Sequence, residues 1–190
     1  DPFGGRFDFD NYSEALKNDY AEVTKEDLAE KNIEVRVAGR IMTKRGKGKA
    51  GFMHIQDNDG LIQIYLRKDQ LSELEYTLFE KCDIGDIVGI AGTVFKTNTG
   101  EVSVKASKYV HLTKALKPLP DKFHGINDDE IKFRQRYLDI ITNREVKEIF
   151  LKKQKFWSTI RNFLIEHDFI EIETPILETS SGGASATPFA

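Results

Sequence analysis

From Ile33 onward the hydrophobic period of the chain becomes two. Ile33, Val35 and Val37 alternate with Glu34, Arg36 and Ala38, and the pattern continues through Gly39-Arg40-Ile41-Met42. Such alternation turns one face of a strand to a core and the other to water. A basic, glycine-rich turn is expected at Lys44-Arg45-Gly46-Lys47-Gly48-Lys49, then a second strand from Gly51 to Asp57. Asn58-Asp59-Gly60 reads as a tight hairpin turn, because these residue types tolerate positive φ, and Leu61 to Leu66 as a third strand.

Residues 69–82 return to helical spacing, with Leu71, Leu74, Leu78 and Phe79 on one side. Asp86 to Phe95 reads as strand four, Thr97-Asn98-Thr99-Gly100 as a turn, and Val102 to Ala106 as the start of strand five. Three strands, a helix, then two strands within about eighty residues is the order of the OB-fold, a five-stranded barrel whose strand 2–3 face and loops bind oligonucleotides or oligosaccharides. In-strand Gly39, Gly89 and Gly92 suit sharp barrel bends. Ahead of the barrel, residues 11–31 read as two short helices with Ser13 and Thr24 as N-caps.

Behind it, Lys117-Pro118-Leu119-Pro120 ends the strands and opens a linker. A helix capped by Asp128 or Asp129 is expected to reach Ile140, and a longer one to run from Arg144 to His167. The apolar residues of the long helix, among them Val146, Ile149, Phe150, Phe156, Trp157, Ile160, Phe163 and Leu164, fall mostly three and four apart, as one buried stripe. Phe169 to Glu173 reads as a short strand stopped at Thr174-Pro175, followed by a Ser/Gly-rich loop. The fold class is therefore α+β. The expected divisions are an N-terminal helical extension (1–31), an OB-fold domain (32–114), a linker (115–127) and the start of a second domain (128–190).

Composition narrows the function. Hydrophobic residues make up 39% and charged residues 31%, which suits a chain with a real core. No apolar run approaches the roughly 18 residues of a membrane span, and DPFGGRFDFD has no signal-peptide character. The single cysteine, Cys82, excludes an internal disulfide and cysteine-based zinc motifs. His54, His111, His124 and His167 lie far apart without metal-ligand spacing, so each reads as a surface or boundary residue and no metal is expected. With a net charge of −3, any nucleic-acid binding must rest on a local patch.

That patch is the barrel's first hairpin. Lys44, Arg45, Lys47 and Lys49 can neutralise phosphates, and the glycines let a backbone pass close. Phe52 offers a ring for base stacking, and Gln63 can pair a donor and an acceptor with a base edge. A Lys/Gly loop is usually just a solvated hairpin and a strand Phe usually core. The OB-like order favours binding, because this loop and face are where that fold takes ligands. Glu101 is commonplace as a charged edge residue. Among lysines it also has a discriminating use: a carboxylate accepts from uracil N3–H and repels the bare acceptor of cytosine N3.

Several runs together resemble the bacterial-type class II lysyl-tRNA synthetases: Gly39 to Arg45, Phe52 to Asp57, Leu116-Lys117-Pro118-Leu119-Pro120-Asp121-Lys122-Phe123-His124-Gly125 and Arg134-Gln135-Arg136-Tyr137-Leu138-Asp139. Phe163 to Leu177, with Glu173-Thr174-Pro175, resembles class II motif 1. The resemblance covers nearly the whole chain and implies an N-terminal piece of a ligase. The complete ligase activates lysine with ATP and Mg2+ and transfers it to the lysine tRNA. It implies anticodon (UUU-type) contacts by Arg45, Phe52, Gln63 and Glu101, a homodimer interface at motif 1 including Pro175, and an amino-acid-pocket loop at Gly182, Gly183 and Ala184. Thr187 stands where such enzymes usually carry a basic residue before Pro-Phe. Motifs 2 and 3 are absent, so no catalytic residue, bound cofactor or activity is expected of these 190 residues alone. A cytoplasmic location without membrane contact is expected. Two alternatives stand beside this reading: a free OB-fold RNA-binding module, and part of an aspartyl or asparaginyl enzyme, since the Arg-Tyr-Leu-Asp run fits those too.

Overall fold

The computed structural model describes residues 3–46, 48–120, 126 and 128–176. Two short helices lead: α1 (Ser13–Asp19) and α2 (Lys25–Lys31). The strands are β1 (Glu34–Arg45), β2 (Ala50–Gln56), β3 (Leu61–Arg67), β4 (Ile87–Lys96) and β5 (Val102–Thr113), with helix α3 (Glu73–Lys81) between β3 and β4. They close into a barrel in the order β1-β2-β3-β5-β4, antiparallel except for β3 against β5. The OB-like order is thus realised as a closed five-stranded barrel.

Alternation makes the core. Val35, Val37, Met53, Ile55, Ile62, Ile64, Leu66, Val88, Ile90 and Val104 are buried inside. Leu71 and the α3 residues Tyr76 and Phe79 join the same cluster. Closure demands places where strands approach too closely for a side chain. At Gly92, where the β4–β5 register shifts, a Cβ would collide with the Lys105 carbonyl. Gly89 is small for another reason: the Phe7 ring lies over it.

The helix caps expected from the sequence form with one exception. Thr24 accepts from the Asp27 amide as the α2 cap, and Ser72 with Glu75 forms a full capping box on α3. Glu75 also accepts from the Tyr109 amide at 3.1 Å, tying the helix start to β5. Burial would raise the Glu75 carboxyl, but the Ser72 and Tyr109 hydrogen bonds and Lys108 hold it below its ordinary value. Ser13, expected as a cap, is instead the first residue of α1, and its hydroxyl and amide both donate to Asp57 (2.8 and 2.6 Å). Asp57 also accepts from the amides of Asp59 and Gly60 (2.9 Å each), so one carboxylate shapes the β2–β3 turn and docks α1 on it.

Asp86 does the same before β4. Its buried carboxylate accepts from the Asp83 amide (2.9 Å), the Ala115 amide (2.7 Å) and Lys114 Nζ (3.0 Å). Burial would raise it, but those amides and the ammonium hold it below the usual carboxylate value. Lys114 is raised in turn, first by its hydrogen bond to Asp83.

The chain forms two compact units, residues 1–119 and 120–190. In the second, the helix expected from Asp128 to Ile140 is two helices, α4 (Asp129–Arg134) and α5 (Arg136–Thr142), because the Gln135 backbone leaves the helical region (φ −118°, ψ 53°). Asp128 caps α4 by accepting from the Glu130 and Ile131 amides. Asn143 caps α6 (Arg144–Glu166) in the same way, accepting from the Glu145 and Val146 amides. Two expectations fail here. The apolar stripe of α6 is not buried: Phe156, Trp157 and Phe163 stay more than half exposed. Residues 169–173 form no strand, since no ladder partner lies beside them among the described residues.

Candidate nucleic-acid interface

The outer face of the five strands is built by register. In β2, Ala50, Phe52, His54 and Gln56 are the half-buried residues between core positions. The ladders then line up two rows across the sheet. One runs Arg45–Phe52–Tyr65–Lys105–Thr93 and the other Thr43–His54–Gln63–Ser103–Phe95, each step a direct register pair. Glu101 immediately precedes β5, two residues before Ser103 of the second row.

Contacts join the rows. The Phe52 ring stacks on Tyr65 with centroids 4.7 Å apart, and Tyr65 meets Phe95 at 5.9 Å. The Arg45 guanidinium lies 5.3 Å from the centre of Phe52 and donates to Gln63 Oε1 at 2.9 Å. Gln63 Nε2 donates to Ser103 Oγ at 3.0 Å, and Ser103 Oγ to the Glu101 carbonyl at 3.3 Å. His54 lies between Thr43 Oγ1 (2.8 Å from Nδ1) and Glu101 Oε1 (3.4 Å from Nε2). A ring surface, a guanidinium, an amide and a carboxylate therefore occupy one patch, a set able to stack a base, attract phosphate and read donors and acceptors.

The structure brings Arg45, Phe52, Gln63 and Glu101 together. It also alters two of the sequence expectations. Gln63 is only 1% exposed and both ends of its amide are engaged, so a base reaches it only by exchanging with Arg45 or Ser103. Lys44 and Arg45 are not loop residues but the end of β1, where alternation sends them to opposite faces. Arg45 belongs to the patch. Lys44 instead donates to the Glu80 and Cys82 carbonyls (2.9 Å each) and lies 5.2 Å from the Phe79 ring centre. It neutralises the carbonyl end of α3 rather than a phosphate. The hairpin loop is held by Tyr76, whose hydroxyl donates to the Gly48 carbonyl at 2.8 Å. Lys49 is exposed, and Lys47 lies outside the described residues.

Sequence reasoning missed Thr43, His54, Tyr65, Phe95 and Ser103. Alternation alone pairs Phe52 with His54 and Gln63 with Tyr65. The signal for the others is the cross-strand register. Pro175 sits exposed in an irregular stretch of the second unit. Gly182, Gly183, Ala184 and Thr187 lie outside the described residues. Among the described residues, no group of three or more His, Cys, Asp or Glu is placed to hold a metal ion. None of the described helices is long and apolar enough to cross a membrane.

Comparison with known proteins matches residues 35–112 to the OB-fold nucleic acid binding domain. Residues 128–190 match the class II tRNA synthetases (D, K and N). Over 189 residues the chain is 56% identical to a lysine–tRNA ligase of Bacillus cytotoxicus, 52% to that of Bacillus subtilis and 55% to that of Streptococcus suis. Each match takes in 100% of this chain but 38% of the relative, so the chain spans well under half the length of the proteins it resembles.

Proposed function

We propose that this chain, kin along its whole length to the lysine–tRNA ligases, reads a UUU-type anticodon of a lysine tRNA with the outer face of its barrel. The observation carrying this is the convergence of Arg45, Phe52 and Gln63 on two neighbouring rows of one sheet face, with Glu101 joined to the second row through His54 and Ser103. In this reading Phe52 supplies the stacking surface. Arg45 supplies charge and, by moving off, opens the ring and the Gln63 amide. Glu101 accepts from a uracil N–H and disfavours cytosine. Residues 128–190 open the class II domain of the same ligase, and Pro175 belongs to its dimer interface. The loop at Gly182, Gly183 and Ala184 approaches the lysine pocket.

Class II lysyl-tRNA ligases in general use ATP and Mg2+. Among the described residues no group of three or more His, Cys, Asp or Glu is placed to hold a metal ion, and this reading assigns them no step of lysine activation. The complete ligase would act in the cytoplasm as a homodimer, and this chain alone would show no ATP–pyrophosphate exchange; measurable exchange would contradict that.

The deciding experiment is binding of RNA hairpins carrying UUU or CCC at one fixed salt concentration. UUU preference is expected, reduced by Glu101→Gln and by Phe52→Ala; equal binding of both hairpins would refute the reading. The class II family model spans aspartate, lysine and asparagine enzymes, which favours a second reading as an aspartyl or asparaginyl enzyme. Preference for a guanine-containing triplet over UUU would support it.

A further inference from the structure

The inference rests on the anticodon reading above and concerns what holds Glu101. Its backbone is fixed by Thr97: the Glu101 amide donates to Thr97 Oγ1 at 3.1 Å, and its carbonyl accepts from the Thr97 amide at 3.0 Å. Its side chain is held by His54. Because an ionised carboxylate only accepts, a neutral His54 ring that bonds Glu101 carries its proton on Nε2, and Nδ1 then accepts from the Thr43 hydroxyl. At 3.4 Å that contact is long for an N–H···O bond. It orients the carboxylate without saturating it. The side chains of His54 and Glu101 keep 29% and 41% of their surface exposed, so both are open to solvent protons and to a ligand.

The surroundings are few. From β1 come Thr43 and, in the next row, Arg45, whose guanidinium is directed at Gln63. From β3 comes Gln63, the register partner of His54, with Tyr65 beyond it. From β5 come Ser103 and, in the next row, Lys105. Glu101 is the charged group in contact with the ring.

We propose that His54 is a positioning residue for Glu101, and that its charge state sets how strongly the carboxylate favours a base with an N–H donor over one with a bare acceptor. When His54 is neutral, the carboxylate is aimed and keeps lone pairs for the base. When the ring gains a second proton, both nitrogens donate and the Thr43 hydroxyl turns to accept. The imidazolium then draws the carboxylate into a charge-assisted hydrogen bond. A base N–H must compete with that cation for the same oxygens. The added positive charge meanwhile strengthens attraction to the phosphates of any triplet. Affinity and preference therefore move in opposite directions as pH falls.

The test uses the 190-residue chain and the UUU and CCC hairpins at constant salt, over a pH series from mildly acidic to mildly alkaline. The UUU-to-CCC affinity ratio is expected to fall roughly tenfold toward low pH, the equivalent of one hydrogen bond, while binding of both hairpins tightens. His54→Gln, neutral throughout, should hold the ratio near its high-pH value at every pH. His54→Ala, which leaves the carboxylate unguided, should lower it at every pH. A wild-type preference constant across the range, or a His54→Gln variant with an unchanged slope, would overturn the proposal and leave the anticodon reading standing. Absence of any UUU preference at every pH would remove both.

Discussion

Ile64 in β3 has no exposed surface, whereas Phe163 in α6 keeps 57% of its surface exposed. The two residues stand for their regions. Every strand of the barrel is laddered on both sides, so each inward side chain meets neighbours across the closed sheet. In the helical unit, α6 packs on α5 and α5 on α4. The buried residue there is Asp139, held by Arg136 at 3.0 Å, and no described apolar side chain of that unit reaches the interior. A closed sheet completes its own core. An amphipathic helix only offers half of one, and needs a partner to bury it.

The largest effect that can break this contrast is in hydrogen exchange. Amides of the barrel core are expected to exchange only through unfolding, at about 5–10 kcal/mol, and those of α6 through local opening within about 2 kcal/mol. Equal protection would show that α6 has found a partner, and sedimentation would reveal whether that is a second copy. Trp157, the single tryptophan, lies in α6. Its fluorescence should therefore lose cooperativity before the barrel's circular dichroism does.

Core truncation comes next. Ile64→Ala should cost about 2–5 kcal/mol in urea unfolding, while Phe163→Ala should stay within about 0.5 kcal/mol for the monomer. A large cost at Phe163 would mean its face is covered in solution.

Asp86→Asn should destabilise the barrel by about 2–3 kcal/mol at neutral pH, since it weakens a buried, triply held carboxylate. Because the folded carboxyl is held below its ordinary value, its contribution is complete above about pH 4 and is lost as pH falls through the lower folded value. The gap between variant and wild type should close in acid; a constant gap would show that charge is not what Asp86 contributes.

The smallest effect compares two helix caps. Ser72→Ala should lower barrel stability by about 1 kcal/mol. Asn143→Ala should leave the barrel transition where it is and reduce only the helicity of α6. A barrel shift from Asn143→Ala would show that the two units unfold together.

Much of this was legible in local pattern. The order of strands and helix along the chain, the Asp57 to Gly60 turn, the Thr24 cap and the limits of α6 follow from spacing and turn chemistry, because those are interactions of near neighbours in the chain. So was half of the candidate site: Phe52 and Gln63 are marked by strand position, Arg45 by charge, Glu101 by its oddness among lysines. The failures share a cause. Lys44 looked like a phosphate ligand until α3 folded back over it, and Ser13 looked like a cap until Asp57, 44 residues away, accepted from it.

Within the barrel, alternation, helical spacing and turn residues were enough to determine which segments are strands, where the helix between them falls and which strand residues face inward; beyond it they named a strand at 169–173 that does not form and a buried stripe on α6 that stays exposed. They could not determine what lies opposite. The parallel β3–β5 register that brings Ser103 beside Gln63, the placement of His54 against Glu101, and the open face of α6 depend on contacts between residues tens of positions apart. Such contacts leave no periodic trace along the chain, because they are decided by how closed or how incomplete the packing around each element is.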